Sequence, residues 1–200
     1  VSVTSPLGSR DAVVEPFGSY TVARLHKDWD KGNTSLGGML TSTHRWAEDA
    51  PLASFLPSQA TTGGIDFTRY FADREWVLEA NGVASRVTGD PAAILALQTN
   101  AVHFYQRPDA SHLGVDPNAT SLSGHGGMVR FGRSDTSRLR LTDHFHWYSP
   151  GLDLNDVGFL RQADLIANQV FLGWSETAPK GAFRSYSVQL AREDQWDFGG

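Results

Sequence analysis

The sequence predicts an all-β protein: an antiparallel up-and-down transmembrane β-barrel of about eight strands, or an internal segment of a larger barrel. Three observations predict this fold class. Apolar and polar residues alternate with a period of two, short and long connections alternate along the chain, and 20 glycines and six tryptophans occur in 200 residues. A period of two gives a strand one apolar and one polar face. In a transmembrane barrel, lipid covers the apolar face.

The clearest alternation lies in the stretch from Arg138 to Ser175. Its first strand has apolar residues at Leu139, Leu141, Phe145 and Trp147, and hydrogen-bonding residues at Arg140, Thr142, His144, His146 and Tyr148. Asp143 is the one exception on the apolar side. After a long polar connection, the pattern resumes with Val170, Leu172 and Trp174. The stretch therefore predicts two strands joined by a long loop.

The chain divides into three parts. Residues 1–18 are expected to be a loop or the tail of a preceding strand, because Pro6, Gly8 and Pro16 interrupt any regular pattern. Residues 19–192 form the predicted barrel segment, and residues 193–200 begin a further loop or strand. The eight predicted strands are 19–27, 34–44, 63–71, 76–85, 121–132, 138–148, 165–175 and 182–192.

Local signals separate these strands. Asp30, Gly32 and Asn33 are turn formers after the first strand, and the pair Gly37 and Gly38 indicates close backbone approach or curvature in the second. The longest connection contains a predicted helix near 91–100, with Asp90 as N-cap and proline at the first helical position. We expect this helix to support the rim, and a lid or plug is the alternative.

The order of the connections favours a barrel of the outer-membrane type. They run short, long, short, long, short, long, short, as they do where tight turns lie on one side of a membrane and long loops on the other. Predicted strand lengths of about 9 to 13 residues suit a tilted strand that crosses a bilayer. Aromatic residues near the strand ends suit interfacial girdles. Since the first strand starts and the eighth ends on the long-loop side, we expect an internal piece of a larger barrel.

The alternation assigns side chains to two environments. Lumen-facing polar candidates are Asp66, Glu79, Asn81, Arg140, His144, His146 and Gln189. Lipid-facing candidates are Ile65, Phe67, Leu78, Leu139, Leu141, Phe145, Trp147, Val170, Leu172 and Trp174.

Composition narrows the function classes. The net charge is −5 and the 17 basic residues are scattered, so no footprint for a phosphate backbone is present and no nucleic-acid partner is expected. The absence of cysteine excludes disulfides and thiolate metal sites. No apolar run reaches the length of a membrane helix.

Three groups of residues are candidate sites. Asp153, Asn155 and Asp156 form a weak calcium candidate, but the oxygen ligands that a calcium loop needs further on are missing, so a hydrogen-bonded loop is preferred. His144 and His146, with His125 nearby, lack a third zinc ligand at a typical spacing. Asp66 and Glu79, expected to oppose each other, are preferred as lumen lining over a glycosidase pair. We therefore expect no catalytic residue, no metal and no cofactor.

Six segments in order resemble a known family. NTSLGGMLTSTHR, TTGGIDFTRYF, SRVTGDPAAILALQ, YQRPDA, TSLSGHGGMVRFG and SPGLDLNDVGFLRQAD together resemble the barrel region of the domain of unknown function 5916 family, over about Thr21 to Ser175. This resemblance implies a bacterial envelope protein, in which the barrel usually follows a module similar to family 9 carbohydrate-binding domains. The resemblance extends neither to that module nor to the later part of the barrel, so no sugar-binding residue and no reaction are carried over.

These observations together predict an outer-membrane β-barrel protein that acts as a passage or platform for solutes, without covalent chemistry in this segment. Saccharide handling is implied only by the resemblance. The expected partners are outer-membrane lipid, a saccharide or other small solute, and envelope proteins. Two alternatives stay open: a soluble β-sandwich that binds or hydrolyses carbohydrate, and a structural subunit of an envelope assembly.

Overall fold

The computed structural model describes residues 2–5, 8–11, 15–47, 50–133, 138–179 and 181–200. Ten strands and two short helices occur in these ranges. The elements are β1 (Ser2–Ser5), β2 (Gly8–Asp11), β3 (Phe17–Trp29), β4 (Thr34–Trp46), α1 (Ala50–Phe55), β5 (Gln59–Phe71), β6 (Trp76–Thr88), α2 (Pro91–Thr99), β7 (Ser121–Arg133), β8 (Leu139–Tyr148), β9 (Leu165–Glu176) and β10 (Tyr186–Trp196). Neither helix is long and apolar enough to cross a membrane.

Strands β3 to β10 form one antiparallel sheet of eight strands in sequence order. Each strand pairs with its neighbours in the chain, as in an up-and-down meander. The predicted all-β class and the antiparallel up-and-down order are therefore confirmed. The sheet is open among the described residues, with β3 and β10 at its edges.

The predicted strand boundaries differ from the structure at several places. Residues 2–5 and 8–11, expected to be a loop or a strand tail, form the paired strands β1 and β2, and the Pro6 that was expected to interrupt them lies outside the described residues. Strand β5 begins at Gln59 rather than at residue 63, because Ala60 is buried with Val87 and Ile94 in a small core cluster. Strand β10 covers Tyr186–Trp196 rather than 182–192, so it continues into the segment expected to begin a new loop or strand.

The strand register gives the sheet two distinct faces. Val129, Phe145 and Asn168 are cross-strand neighbours, and so are Arg130 and His144 in the adjacent register. Directly paired residues point to the same side of a sheet and successive residues to opposite sides. We call the side that carries Phe145 the apolar face and the side that carries His144 the polar face.

Aromatic side chains mark both ends of the apolar face. Near the short turns, Phe131 stacks on Phe71 and on Trp76, with ring centroids 6.1 and 5.2 Å apart. At the opposite end, Phe17 contacts Trp46 at 5.2 Å. Aromatic rings therefore lie at both ends of the strands on the apolar face.

The buried core lies on the polar face, at the end that carries the long connections. Helix α2 begins as predicted, because the Asp90 carboxylate accepts a hydrogen bond from the Ala92 backbone nitrogen at 2.9 Å. Its Ile94 is fully buried against Ala60 and Val87. A second cluster joins residues of the β8–β9 connection to the sheet: Leu152, Leu160 and Ala163, with Val83, Val102, Tyr148 and Leu154 around them.

Candidate functional site

The predicted polar candidates lie together on the polar face. The register puts the seven side chains on this side of the sheet, and the ten predicted lipid-facing side chains on the other. The sequence pattern therefore separated the two faces. The polar candidates are Asp66, Glu79, Asn81, Arg140, His144, His146 and Gln189. Whether the polar face lines a lumen stays a prediction.

Asp66 and Glu79 do not oppose each other. In the register, Asp66 pairs with Asn81 and Glu79 pairs with Thr68. Each carboxylate also has its own arginine. Arg24 Nη2 lies 3.1 Å from Asp66 Oδ1, and Arg130 Nη1 lies 2.7 Å from Glu79 Oε2. The two acids are therefore members of separate ion pairs, which does not favour the glycosidase alternative.

The β8–β9 connection, residues 149–164, folds over the polar face, and we call it the inner loop. The Ser149 backbone nitrogen donates to the His125 carbonyl at 2.8 Å, and the Asp153 backbone nitrogen donates to Ser85 Oγ at 3.0 Å. Farther along the loop, Asp156 forms an ion pair with Arg45 of β4, with both side chains largely buried. The inner loop is therefore anchored to β4, β6 and β7.

A cavity of about 460 Å³ lies between the inner loop and the polar face. Strands β3 to β6 supply most of its lining, and the inner loop supplies the rest. Its polar lining residues are Arg24, Thr41, Thr62, Asp66 and Asn81, and its apolar ones include Met39, Val83, Leu154 and Val157. The arrangement combines one ion pair, neutral hydrogen-bonding groups and an aliphatic wall.

The inner loop does not have the geometry of a calcium site. Asp153 Oδ1 accepts from the Asn155 backbone nitrogen at 2.9 Å, and Asn155 Oδ1 accepts from the Leu160 backbone nitrogen at 2.7 Å. The Asp156 carboxylate is held by Arg45. Asp153 and Asn155 therefore stabilise the loop itself, Asp153 in the manner of an Asx turn, and Asp156 anchors the loop to β4.

The histidines considered for zinc lie on opposite faces. His144 and His146 are on the polar face, with ring centroids 5.0 Å apart. His125 is on the apolar face, where it pairs with Ala84 in the register and accepts a hydrogen bond from Trp147 Nε1 at 3.2 Å. A sheet separates His125 from the other two, so the three imidazoles cannot bind one metal ion.

A buried network behind the inner loop was not found from the sequence. Asp164, fully buried, accepts hydrogen bonds from Arg107, from His112 Nε2 at 2.9 Å and from the Phe198 backbone nitrogen at 3.0 Å. Arg107 also pairs with Asp197 at 3.1 Å. His112, Asp164 and Asp197 are close enough to hold a metal ion, but Arg107 already supplies the positive charge there. The network joins the β6–β7 connection to the inner loop and to the segment after β10.

Burial changes the acid–base properties of two nearby side chains. Burial, together with the negative charge of Asp164, raises the pKa of Tyr105 to about 12. Burial lowers the pKa of His103 below its ordinary value, although Asp153 and backbone carbonyls partly oppose this. His103 Nε2 lies 3.0 Å from the Leu152 carbonyl oxygen. The contact between the two long connections is therefore most favourable with a neutral imidazole.

These residues are hard to find from sequence because their partners are far apart in the chain. Arg107 and Asp164 are separated by 57 positions, and Arg45 and Asp156 by 111. One signal was available: Arg107 follows a helix in a long polar connection that also contains Asp109. Asp109 does contact Arg107 at 3.3 Å, but it is 79% exposed.

Comparison with known proteins gives no match: no family model, no curated protein and no solved structure is similar to this chain.

Proposed function

We propose that this chain is a segment of a β-barrel in the bacterial outer membrane, with lipid against its apolar face and a lumen along its polar face. The observation that carries the proposal is the exposure of the apolar face. Leu25, Ile65 and Leu190, on three different strands, are 82%, 66% and 66% exposed. Apolar surface of this extent is unfavourable in water, at about 25 cal/mol per Å². When lipid hydrocarbon covers this surface, the free-energy cost of exposing it to water is removed.

The same exposure argues against a soluble β-sandwich. In a sandwich, the inner faces of two sheets pack together and bury their apolar residues. Phe145 and Trp174 would lie in such a core, yet they are 38% and 43% exposed. The described residues provide no second sheet over them. The aromatic residues at both ends of the apolar face suit the two interfaces of a bilayer.

The polar face supports a role as a passage or platform for solutes, and we propose no covalent chemistry there. Its ion pairs and the inner loop narrow the space along the sheet and place hydrogen-bonding groups in it. Strands β3 and β10 need further strands as partners in lipid, because unpaired backbone groups are costly there. Eight strands alone would enclose an interior filled by side chains, so an open passage requires a larger barrel. Saccharide remains a candidate solute through the family resemblance alone.

A role as a structural subunit of an envelope assembly is a second candidate. Phe55 in α1 and Phe159 in the inner loop are 74% and 80% exposed. Both lie on the long connections, away from the apolar face. Exposed aromatic residues at such positions suit contact with a partner protein, so the two roles are compatible.

Single cysteine substitutions test the membrane orientation. The sequence contains no cysteine, so Leu190→Cys and Gln189→Cys each introduce one labelling site on opposite faces of β10. Nitroxide labels on the two variants are compared in lipid vesicles by their collision rates with oxygen, which concentrates in lipid, and with a water-soluble nickel complex. We expect the label at residue 190 to favour oxygen and the label at residue 189 to favour nickel. Equal nickel access at both sites, with a protein that stays soluble without detergent, would overturn the proposal.

A further inference from the structure

We propose that the cavity between the polar face and the inner loop binds a zwitterionic solute with an aliphatic side chain, of the size of an amino acid or a dipeptide. The inference deepens the proposed function and rests on it, since it names the solute class that the polar face would take. It is carried by the juxtaposition of one ion pair with an aliphatic wall in the same cavity.

The ion pair supplies both charges that a zwitterion needs. Arg24 Nη2 and Asp66 Oδ1 are 3.1 Å apart, and their side chains are 53% and 36% exposed. A solute carboxylate can bind the arginine fork, and a solute ammonium group can bind the aspartate. The solute carboxylate would replace Asp66 as the partner of Arg24, and the solute ammonium group would replace Arg24 as the partner of Asp66. Little is lost by breaking the Arg24–Asp66 pair, because a solvated ion pair is weak. The site is therefore neutral as a whole but polarised, which favours a neutral ligand with separated charges.

The position of the aspartate depends on a glycine. A β-carbon on Gly37, the cross-strand neighbour of Asp66, would lie 2.4 Å from Asp66 Oδ2. The carboxylate thus lies over the backbone of β4 and reaches toward Arg24 on β3. Asn81, the other cross-strand neighbour of Asp66, also lines the cavity. The polar groups of the cavity therefore come from all four strands β3 to β6.

The aliphatic part of the lining selects an aliphatic group. Met39 and Val83 come from the strands, and Leu154 and Val157 come from the inner loop. The described residues that line this cavity include no aromatic ring, so they offer no stacking platform of the kind that commonly holds a sugar ring. A branched hydrocarbon side chain fits this wall better than a saccharide does.

The cavity is built before a solute arrives. Its roof is fixed by the Arg45–Asp156 ion pair and by the hydrogen bond from Asp153 to Ser85. Its volume of about 460 Å³ lies within the range of about 300 to 1,000 Å³ that is usual for small-molecule sites. Because the cavity residues are already ordered, little of the binding free energy is lost in ordering them when a solute binds.

Calorimetric titration of the full chain in detergent micelles tests the inference. The probes are leucine and leucyl-leucine, with N-acetyl-leucine amide as the uncharged aliphatic control and maltose as the saccharide control. We expect leucine or leucyl-leucine to bind at least about tenfold more tightly than either control. Arg24→Gln and Asp66→Asn should each weaken that binding by about tenfold or more. Arg130→Gln removes an ion pair of the polar face that lies outside the cavity lining, and it should change that binding less than about twofold.

Three results would overturn the inference: equal binding of leucine and N-acetyl-leucine amide, tighter binding of maltose, or no heat signal from any probe at millimolar concentration. The nitroxide measurements on residues 189 and 190 separate this failure from failure of the proposed function. If those labels report lipid and lumen while zwitterions do not bind, only the solute assignment is wrong. If zwitterions bind to a protein whose apolar face does not meet lipid, the cavity assignment holds and the membrane proposal is wrong.

Discussion

A β-carbon on Gly124 would lie 2.0 Å from the backbone nitrogen of Leu152. Strand β7 and the inner loop therefore approach each other backbone to backbone, which a residue with a side chain does not allow. Leu152 is fully buried and packs with Leu160 and Ala163. The inner loop can therefore dock in this position only because Gly124, in the sheet beneath it, has no side chain.

Replacing Gly124 by alanine should displace the inner loop. The contacted atoms belong to backbone and cannot rotate away, so we expect a cost of about 1–3 kcal/mol, typical of overpacking. Hydrogen exchange of amides in residues 149–164 should become about tenfold faster or more. Gly82→Ala is the matched control, because a β-carbon there meets no atom within 4 Å. Equal exchange in both variants would show that the loop is held without this close approach.

Replacing Asp164 by asparagine should loosen both long connections. The substitution keeps the backbone conformation, since the φ of 53° at this position is one that asparagine tolerates. It removes the charge that faces Arg107 and His112, at a cost of about 3 kcal/mol for a broken buried ion pair. Exchange protection in residues 101–118 reports the loss. Asp109→Asn removes an exposed partner of the same arginine and should cost less than about 1 kcal/mol; similar losses in the two variants would refute a central role for Asp164.

Docking of the inner loop should weaken as the pH falls below about 6.5, the ordinary pKa of histidine. Burial lowers the pKa of His103 in the docked state, so the undocked state binds more protons in this range and acid favours undocking. Protection factors of residues 149–164, corrected for intrinsic exchange, should therefore decrease from pH 7.5 to pH 5. His103→Gln retains a donor for the Leu152 carbonyl and does not titrate, so its protection should be independent of pH in this range. An identical decrease in that variant would assign the effect to another group.

An arginine on the apolar face should oppose membrane insertion. Leu190→Arg places a charge where we propose hydrocarbon, at a cost of about 2–4 kcal/mol near the bilayer midplane. Gln189→Arg puts the same side chain on the polar face one position earlier, and it should be nearly neutral. Urea titration of the protein in lipid vesicles gives the free energy of unfolding for both variants. If the two substitutions cost the same amount, the apolar face does not meet lipid.

The alternation of side chains was sufficient to predict the sheet. Ile65 and Asp66, or Leu139 and Arg140, were assigned to opposite faces from a period of two, and the register agrees. The buried network of His103, Arg107 and Asp164 was missed because its residues carry no periodic pattern. Their positions depend on how two long connections meet in three dimensions. The pairing of β1 with β2 was not predicted for a related reason: these strands are four residues each, too short to show alternation.

Within the described ranges, every strand of the large sheet is hydrogen-bonded only to strands that adjoin it along the chain. Such pairing needs no closure of remote segments, so the meander can grow one hairpin at a time as it folds. It also makes the hairpin a natural unit of evolutionary change. Duplicating or deleting one would alter the number of strands by two and leave the orientation and side-chain alternation of all others intact, so the width of such a sheet can vary while its two surfaces keep their chemistry.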